Sequence, residues 1–504
     1  MKIKKISTIL AMIVLTSGAT VAIMLSDKVK NIVEMTSPWQ ENYSKSKSQL
    51  GALYGFPYVF NYLLLNDWGQ PLEKGIISKK PRDTLNNFYH VRKLTDAEYR
   101  DGGAPNNDAV YSLAYLYVDK EPVIVTAPVL GNDDRYWALQ FTSFTSDNYA
   151  YISKRATGNG GGNFAIVPSG WKGTLPEGVT YLAEAPTKWS LLVGQTVVRS
   201  QADLPNVHKI QDQYQLTALS DWGKAEHVRP SFVPVENAFP EYAAMFADPD
   251  LGLKAILEDF IKYNPENYLA MMNYSMTLNG IPEAEQGYME QFREVGIGSD
   301  IDLSELRQDF IKGRLKGAAL GLLDVVKSTE TNYGSKSVDG WTVLDPIYGH
   351  AGMEGKYLVR SALQSLTGIV ANDIEEASYS LLNDDVTRTG VQKPSGEYRY
   401  VLHFTSDQMP KVGAFWSLSA YDDTNNLIAN KINRYSIGDR TKGLVYNDDG
   451  GVSLYISYDE PSDKAERSNW LPTSKGEFYM VFRAYLPGQE IIEQTWTPPK
   501  LTLQ

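Results

Sequence analysis

From Asp108 to Arg199 the chain runs in short apolar stretches broken by turn residues. Val110–Val118, Val123–Ala127, Tyr136–Thr142, Asn163–Val167 and Trp189–Val198 are strand-length and rich in Val, Tyr and Ile. Gly131-Asn132-Asp133-Asp134, Gly158 through Gly162 and Pro176-Glu177-Gly178 separate them. Short strands punctuated this way predict a β-sandwich. Residues 391–504 return to the same pattern. Tyr398, Tyr400, Leu402 and Phe404 alternate with Arg399 and His403, and Phe415–Tyr421 reads as a buried strand. Asn447-Asp448-Asp449-Gly450-Gly451 is a hairpin turn signal, followed by Val452, Leu454, Ile456 and Tyr458 alternating with Ser453 and Ser457. Phe478–Tyr485 is apolar on both faces, which predicts a central strand covered on both sides.

Between the two β blocks the period is helical. Leu253, Ile256, Leu257, Phe260 and Ile261 follow i, i+3, i+4, i+7, i+8 spacing. Leu303, Leu306 and Phe310 give a second amphipathic face, with Asp302 and Glu305 as a capping box. The Gly- and Asp-rich stretch from Ser328 to Gly355 reads as a linker or long loop. Leu358, Ala362, Leu363, Leu366 and Val370 predict a further helix. Ser26 to Lys80 is a helical lead-in that Gly55-Phe56-Pro57 interrupts. The fold class is therefore mainly β with a helical insert. The divisions are a lead-in at 26–104, a first sandwich at 105–205, a helical region and linker at 206–390, and a second sandwich at 391–504.

Lys2, Lys4 and Lys5 precede an uncharged run from Ile6 to Leu25. A basic start followed by an apolar run is an export signal, so residues 1–25 are a signal peptide or a signal anchor. If they are retained, the positive-inside rule leaves the rest outside the cytoplasm. The expected location is the periplasm, cell envelope or exterior, with the membrane reached only through residues 6–25.

Composition narrows the partners. Net charge is -12 over 504 residues. An acidic surface repels phosphate backbones, so no nucleic-acid partner is expected. Cysteine is absent, which removes disulfides, thiolate metal sites and a cysteine nucleophile. The 5 histidines, His90, His208, His227, His350 and His403, show no metal-ligand spacing, and neither a metal nor a cofactor is expected. With 32 Tyr, 10 Trp and 16 Phe, the chain has the aromatic content of strands and of binding surfaces.

One phrase is too charged for a core and too apolar for a solvated loop: Asn433-Arg434-Tyr435-Ser436-Ile437-Gly438-Asp439-Arg440-Thr441. Asn469-Trp470-Leu471-Pro472 follows one hairpin later. Together with Ala414-Phe415-Trp416-Ser417-Leu418 and Gly476-Glu477-Phe478, this block resembles the family catalogued as domain of unknown function 1214. Upstream stand Pro105-Asn106-Asn107-Asp108, Arg135-Tyr136-Trp137, Tyr149-Ala150-Tyr151-Ile152, Arg155-Ala156-Thr157-Gly158 and Gln211-Asp212-Gln213-Tyr214. These resemble domain of unknown function 1254, its usual N-terminal partner. Ala109-Val110 departs from the Thr-Leu expected there and removes a hydroxyl. The resemblance implies an exported or envelope protein with an immunoglobulin-like sandwich, a helical insert and a jelly-roll-like sandwich. It implies no established activity.

The candidate ligand-binding residues are Asn107, Asp108, Arg155, Trp416, Arg434, Tyr435, Ser436, Asp439, Arg440 and Trp470. Guanidinium groups hold carboxylates, phosphates or sugar hydroxyls bidentately, and Trp416, Trp470 and Tyr435 could stack on a sugar ring. An internal Arg–Asp latch is the competing reading for Arg434, Asp439 and Arg440, and for Arg155 with Asp108. Asp422-Asp423-Thr424-Asn425-Asn426 reads as turn chemistry, and Gly158 through Gly162 as a hairpin loop, since a strand follows it. Two functions are open. One is a non-catalytic envelope protein that binds a glycan or another envelope component. The other is a periplasmic hydrolase or lyase acting on a carbohydrate or ester, with Asp439 or Glu477 as acid or base.

Overall fold

The computed structural model describes residues 39–69, 82–100, 103–225, 227–242, 245, 252–367, 371–390 and 393–504. The expected export segment and Val370 lie outside them, as do the side chains of Leu253 and Leu366. Among the described residues no helix is long and apolar enough to cross a membrane. Two sheet-rich domains flank a helical region.

Strands are numbered in chain order. In the first sandwich, β1 (Tyr89–His90), β2 (Ala109–Tyr117), β8 (Trp189–Val197), β4 (Trp137–Ser143) and β5 (Asn148–Ser153) form one sheet in that order. The facing sheet runs β7 (Val179–Glu184), β6 (Gly162–Val167), β3 (Val123–Ala127), β9 (Gln215–Ala218). Every expected run lies within one residue of its strand. β7 escapes the pattern because it is an edge strand without a buried face. Gly158–Gly162 joins β5 to β6, which lie in different sheets, so it is a crossover between layers and not a hairpin. The sequence division at 105–205 also leaves out β1 and β9.

The period of two decides what each face of β2 meets. Ala114 and Leu116 point into the sandwich core with Trp137, Leu139, Ile166 and Leu192. Leu113 and Tyr115 point the other way, into a core shared with the helices. The first sheet is thus covered on both faces, and every residue of β8 is buried.

The helical body is built on α1 (Trp39–Gly69), α3 (Gly252–Lys262), α4 (Pro265–Asn279) and α5 (Ile311–Glu330), with α2 (Leu204–Gln211) beside the first sandwich. The expected break at Gly55-Phe56-Pro57 does not occur, and α1 runs through Pro57. Proline removes the N–H that would bond the Leu53 carbonyl. Ser361 supplies the replacement, its hydroxyl donating to Leu53 O at 2.6 Å. Gly313, Gly317 and Gly321 repeat every fourth residue on α5. A Cβ at Gly317 would stand 2.3 Å from the Lys45 carbonyl oxygen, so the glycines let α5 lie against the α1 backbone. The Asp302 capping signal is real but local. Its carboxylate accepts from Ser304 N at 2.8 Å on a single 3₁₀ turn, and α5 starts only at Ile311.

The second sandwich begins earlier than 391. The stretch expected to be a linker holds β10 (Ser335–Val338) and β11 (Trp341–Leu344). Trp341 is buried in the second core and donates its indole N–H to Pro499 O at 2.9 Å. These strands join β12 (Ala377–Leu382), β18 (Phe478–Pro487), β14 (Val412–Asp422) and β15 (Ser436–Gly438) in one sheet. The facing sheet is β17 (Trp470–Pro472), β16 (Val452–Ser457), β13 (Tyr400–Phe404), β19 (Leu501–Leu503). As the pattern predicts, β18 is central, between β12 and β14. Phe478, Met480, Phe482 and Ala484 enter the sandwich core. Its alternate residues face the first sandwich. There Tyr485 and Phe415 pack with Tyr136, Ala138, Val197 and Ala109, so Ala109 fills an apolar seam between the sandwiches.

Candidate functional site

The seam gathers the residues that the sequence marks most strongly. Asp108 enters it at the start of β2. One carboxylate oxygen accepts from Arg440 Nη2 at 2.7 Å and the other from Ser417 Oγ at 2.7 Å. Arg440 also donates to Val198 O at 3.3 Å and lies over the Phe415 ring, 3.8 Å from its centroid. Two of the three residues before Asp108 continue the clasp. Pro105 O accepts from Tyr421 OH at 2.9 Å, and Asn106 Nδ2 donates to Tyr485 OH at 2.5 Å. Asn107 turns back to its own domain and donates to Thr95 O. Arg483, which the reading of the sequence missed, is buried on β18 and donates to Ala104 O at 3.0 Å. The signal that could have found it is an arginine inside the apolar run Phe478–Tyr485.

Arg155 does not meet Asp108. Its Nε donates to Glu376 Oε2 at 2.6 Å, just before β12. Burial pushes the Glu376 carboxyl above its ordinary range, opposed by Arg155 and by the hydroxyls of Ser153 and Tyr136. Two arginines therefore cross the seam in opposite directions, Arg155 from the first sandwich and Arg440 from the second.

The other marked residues divide between cores and turns. Trp416 is 2% exposed, between Phe404 and Phe482, and Trp470 is 5% exposed with its indole N–H on Ser457 O. Neither can stack on a sugar, because both rings are buried, Trp416 in the second core and Trp470 on the other face of its strand from the core residue Leu471. Arg434 caps the short helix Lys464–Ser468, donating to Ser468 O at 2.9 Å and Trp470 O at 2.8 Å. Burial lowers its pKa. Tyr435 packs beside Tyr421 and Tyr479, with its hydroxyl on Asn433. Ser436 opens β15 opposite Ser419. Glu477 is exposed, its backbone bridging Ser395. Asp422 accepts from Thr424 N and Asn426 N, an Asx turn as expected.

Asp439 is the chemically tuned member. It is half-buried and accepts from Trp416 N at 3.3 Å. Burial lifts its carboxyl to about 6, against the pull of the Trp416 N–H and of Arg440, and the Asp108 charge adds to the rise.

A second polar nest lies where the β4–β5 turn meets the helices. Arg360 is fully buried and donates to Asp147 at 2.9 Å and Glu285 at 2.7 Å. Its guanidinium lies over the Tyr54 and Tyr357 rings. Burial opposes its charge, and the two carboxylates outweigh that and keep it protonated. Nearby, His350 Nδ1 lies 3.1 Å from Asp373 Oδ1. No sequence motif marks this nest, since its members come from four distant segments.

A pocket of about 190 Å³ opens between the first sandwich and the helices. Tyr62, Tyr117, Trp189 and Phe232 supply rings, Leu65 and Leu278 aliphatic wall, and Ser231 and Asn279 polar edges. Among the described residues no group of three His, Cys, Asp or Glu is placed to hold a metal ion.

Comparison with known proteins bears on the seam. Residues 85–218 match the family model described as protein of unknown function DUF1254, and residues 377–489 match that of DUF1214. The chain carries these two domains in tandem. The DUF1254 segment contributes Asp108 and Arg155 to the seam, and the DUF1214 segment Arg440 and Arg483. The VPA0106 protein of Vibrio parahaemolyticus has a similar structure, with a TM-score of 0.66 at 21% identity, covering 92% of this chain and 100% of that one. That likeness concerns the fold alone. An uncharacterized protein from Burkholderia cenocepacia aligns over 94% of this chain and 98% of its own, at TM-score 0.41 and 11% identity, too distant to carry an argument. No curated protein matches the chain.

Proposed function

We propose that the protein is an exported binding protein of the cell envelope that takes one unit of a glycan in the pocket between the first sandwich and the helices. The observation that carries this reading is the lining: four aromatic rings with Ser231 and Asn279 at one cavity of about 190 Å³. Aromatic walls with a few polar groups are the usual chemistry of ligand sites. The volume is below the roughly 300–1,000 Å³ of drug-sized sites, which suits a single ring. The seam supports the reading indirectly, because its arginines are engaged in internal contacts and hold the two domains as a frame. The test is a glycan array with the folded protein beside Ser231→Trp, which puts an indole at the pocket rim. Binding lost in the variant supports the proposal. An array without hits, or binding indifferent to Ser231→Trp, sinks it. Mass spectrometry of the N-terminus from an expressing cell tests export.

A hydrolase or lyase reading has one observation in its favour: Asp439, with a carboxyl at about 6, lies in the range suited to acid–base work near neutral pH. Turnover of a polysaccharide or ester panel that Asp439→Asn abolishes would favour it.

A further inference from the structure

His350 stands on a loop built to hold it. Gly349 and Ala351-Gly352 bracket it, and both glycines are sterically required. A Cβ at Gly349 would lie 2.0 Å from Asp373 Oδ1, and one at Gly352 would lie 2.3 Å from both Arg360 Nη1 and Asp147 Oδ2. The loop backbone is bonded to the same base. Gly352 N donates to Asp147 Oδ1 at 2.7 Å, and Gly349 O accepts from Asn148 N at 2.9 Å. Beneath it, Arg360 opens the π-helix Arg360–Thr367, a form that recurs at functional sites. A fully buried Arg–Asp–Glu group is weak evidence for stability. Here it fixes the position of a loop.

What the loop presents is a partly exposed imidazole, 28% accessible, against a carboxylate that is 16% accessible. Asp373 is itself oriented. Asn148 Nδ2 donates to its Oδ1 at 3.1 Å, and its backbone N–H donates to Tyr151 OH at 2.8 Å. A histidine whose Nδ1–H is held by a carboxylate keeps Nε2 as a free base. The Asp373 hydrogen bond raises the His350 pKa, burial opposes it, and the charges of Asp373, Glu375 and Asp147 add to the rise.

We propose that His350, positioned by Asp373, is the general base of a hydrolytic site for small uncharged esters. Nε2 takes a proton from water as the water oxygen bonds to the acyl carbon. The bond from that carbon to the alcohol oxygen then breaks, and the imidazolium returns the proton to the leaving alkoxide. Ester and water become acid and alcohol, and no other reactant is needed. The uncharged substrate follows from the surroundings. Glu354 and Glu375 are exposed, Asp373 faces the imidazole and Asp147 lies below the loop, against an exposed Lys356 and the buried Arg360, so anions are disfavoured. Met353 is 54% exposed and offers an apolar contact. This goes beyond the binding reading and gives the hydrolase reading a different base from Asp439.

The test is hydrolysis of p-nitrophenyl acetate and butyrate by the folded protein and its variants. His350→Ala is expected to lose about 10²–10⁴-fold in kcat, and added imidazole to restore part of it. Asp373→Asn is expected to lower kcat with KM unchanged and to move the acidic limb of the pH profile downward. If His350→Ala fails to fold, His350→Gln carries the same comparison without the imidazole arm. Wild-type turnover no greater than that of the His350 variant, or a folded His350→Ala that imidazole does not rescue, overturns the proposal.

Discussion

Arg440 and Asp108 meet at 2.7 Å across the seam between the sandwiches, from positions 332 residues apart. Asp108 is 7% exposed at its side chain and Arg440 29%, so the pair lies between a surface bridge and a buried one. Exposed pairs contribute about 0–1 kcal/mol, while breaking a buried one costs about 3–5 kcal/mol. Arg440→Ala is expected to destabilise by roughly 2–3 kcal/mol, since it strands the Asp108 carboxylate. Adding Asp108→Ala should recover part of that loss. Denaturant melts of the two single variants and the double variant measure the coupling, and a coupling near zero would mean that the pair does not latch the seam.

The Arg360 nest should respond more steeply. Arg360→Met leaves Asp147 and Glu285 buried without their cation, and a loss of roughly 3–5 kcal/mol is expected. Neutralising both carboxylates in the same chain, with Asp147→Asn and Glu285→Gln, should regain most of it. Thermal unfolding of the single and triple variants distinguishes a charge effect from simple loss of packing, which the triple variant would not repair.

Asp439 predicts a dependence on pH. Its folded pKa, about 6, lies above the ordinary 3.8 of an aspartate, so the folded state holds this proton more tightly than the unfolded chain. The contribution is fully present below the unfolded value and is lost as pH rises through about 6. Asp439→Asn should therefore be more stable than wild type near neutral pH, by on the order of 2 kcal/mol at most. It should also flatten the stability profile between about pH 4 and pH 7. Urea melts across that range check the sign.

Gly352→Ala tests the loop beneath His350. The new methyl would meet Arg360 and Asp147, which are bonded to each other and cannot yield cheaply. A loss of about 1–3 kcal/mol is expected from overpacking, together with a shifted His350 imidazole resonance by NMR. An unchanged resonance would show that the loop is not set by this contact.

The sequence was legible where a single face decides a residue. Val123, Val125 and Ala127 face one core, and the apolar run predicts the strand to its ends; the doubly buried β18 is apolar on both faces, which predicts a central strand. It was not legible where a partner from far along the chain overrides a local rule. Pro57 signals a break, yet Ser361 bonds the carbonyl that proline frees. Trp341 sits among Gly and Asp residues that look like a linker, and only its burial against the second sandwich makes a strand there. The charged phrase from Asn433 to Thr441 stands out in the sequence, and its Arg440 reaches the seam. Whether Arg440 meets a ligand or an internal carboxylate depends on Asp108, and no local pattern carries that information.

The seam also sets the smallest piece of this protein that can be handled alone. Cut between the domains, the second sandwich would expose Phe415 and Tyr485 to water and leave the buried Arg483 without the Ala104 carbonyl. The first would carry an Asp108 carboxylate with neither Arg440 nor Ser417. Each half would be a sticky fragment with one raw face. The two domains, though separate in sequence, are one physical object, and truncations meant to isolate either should be drawn around both.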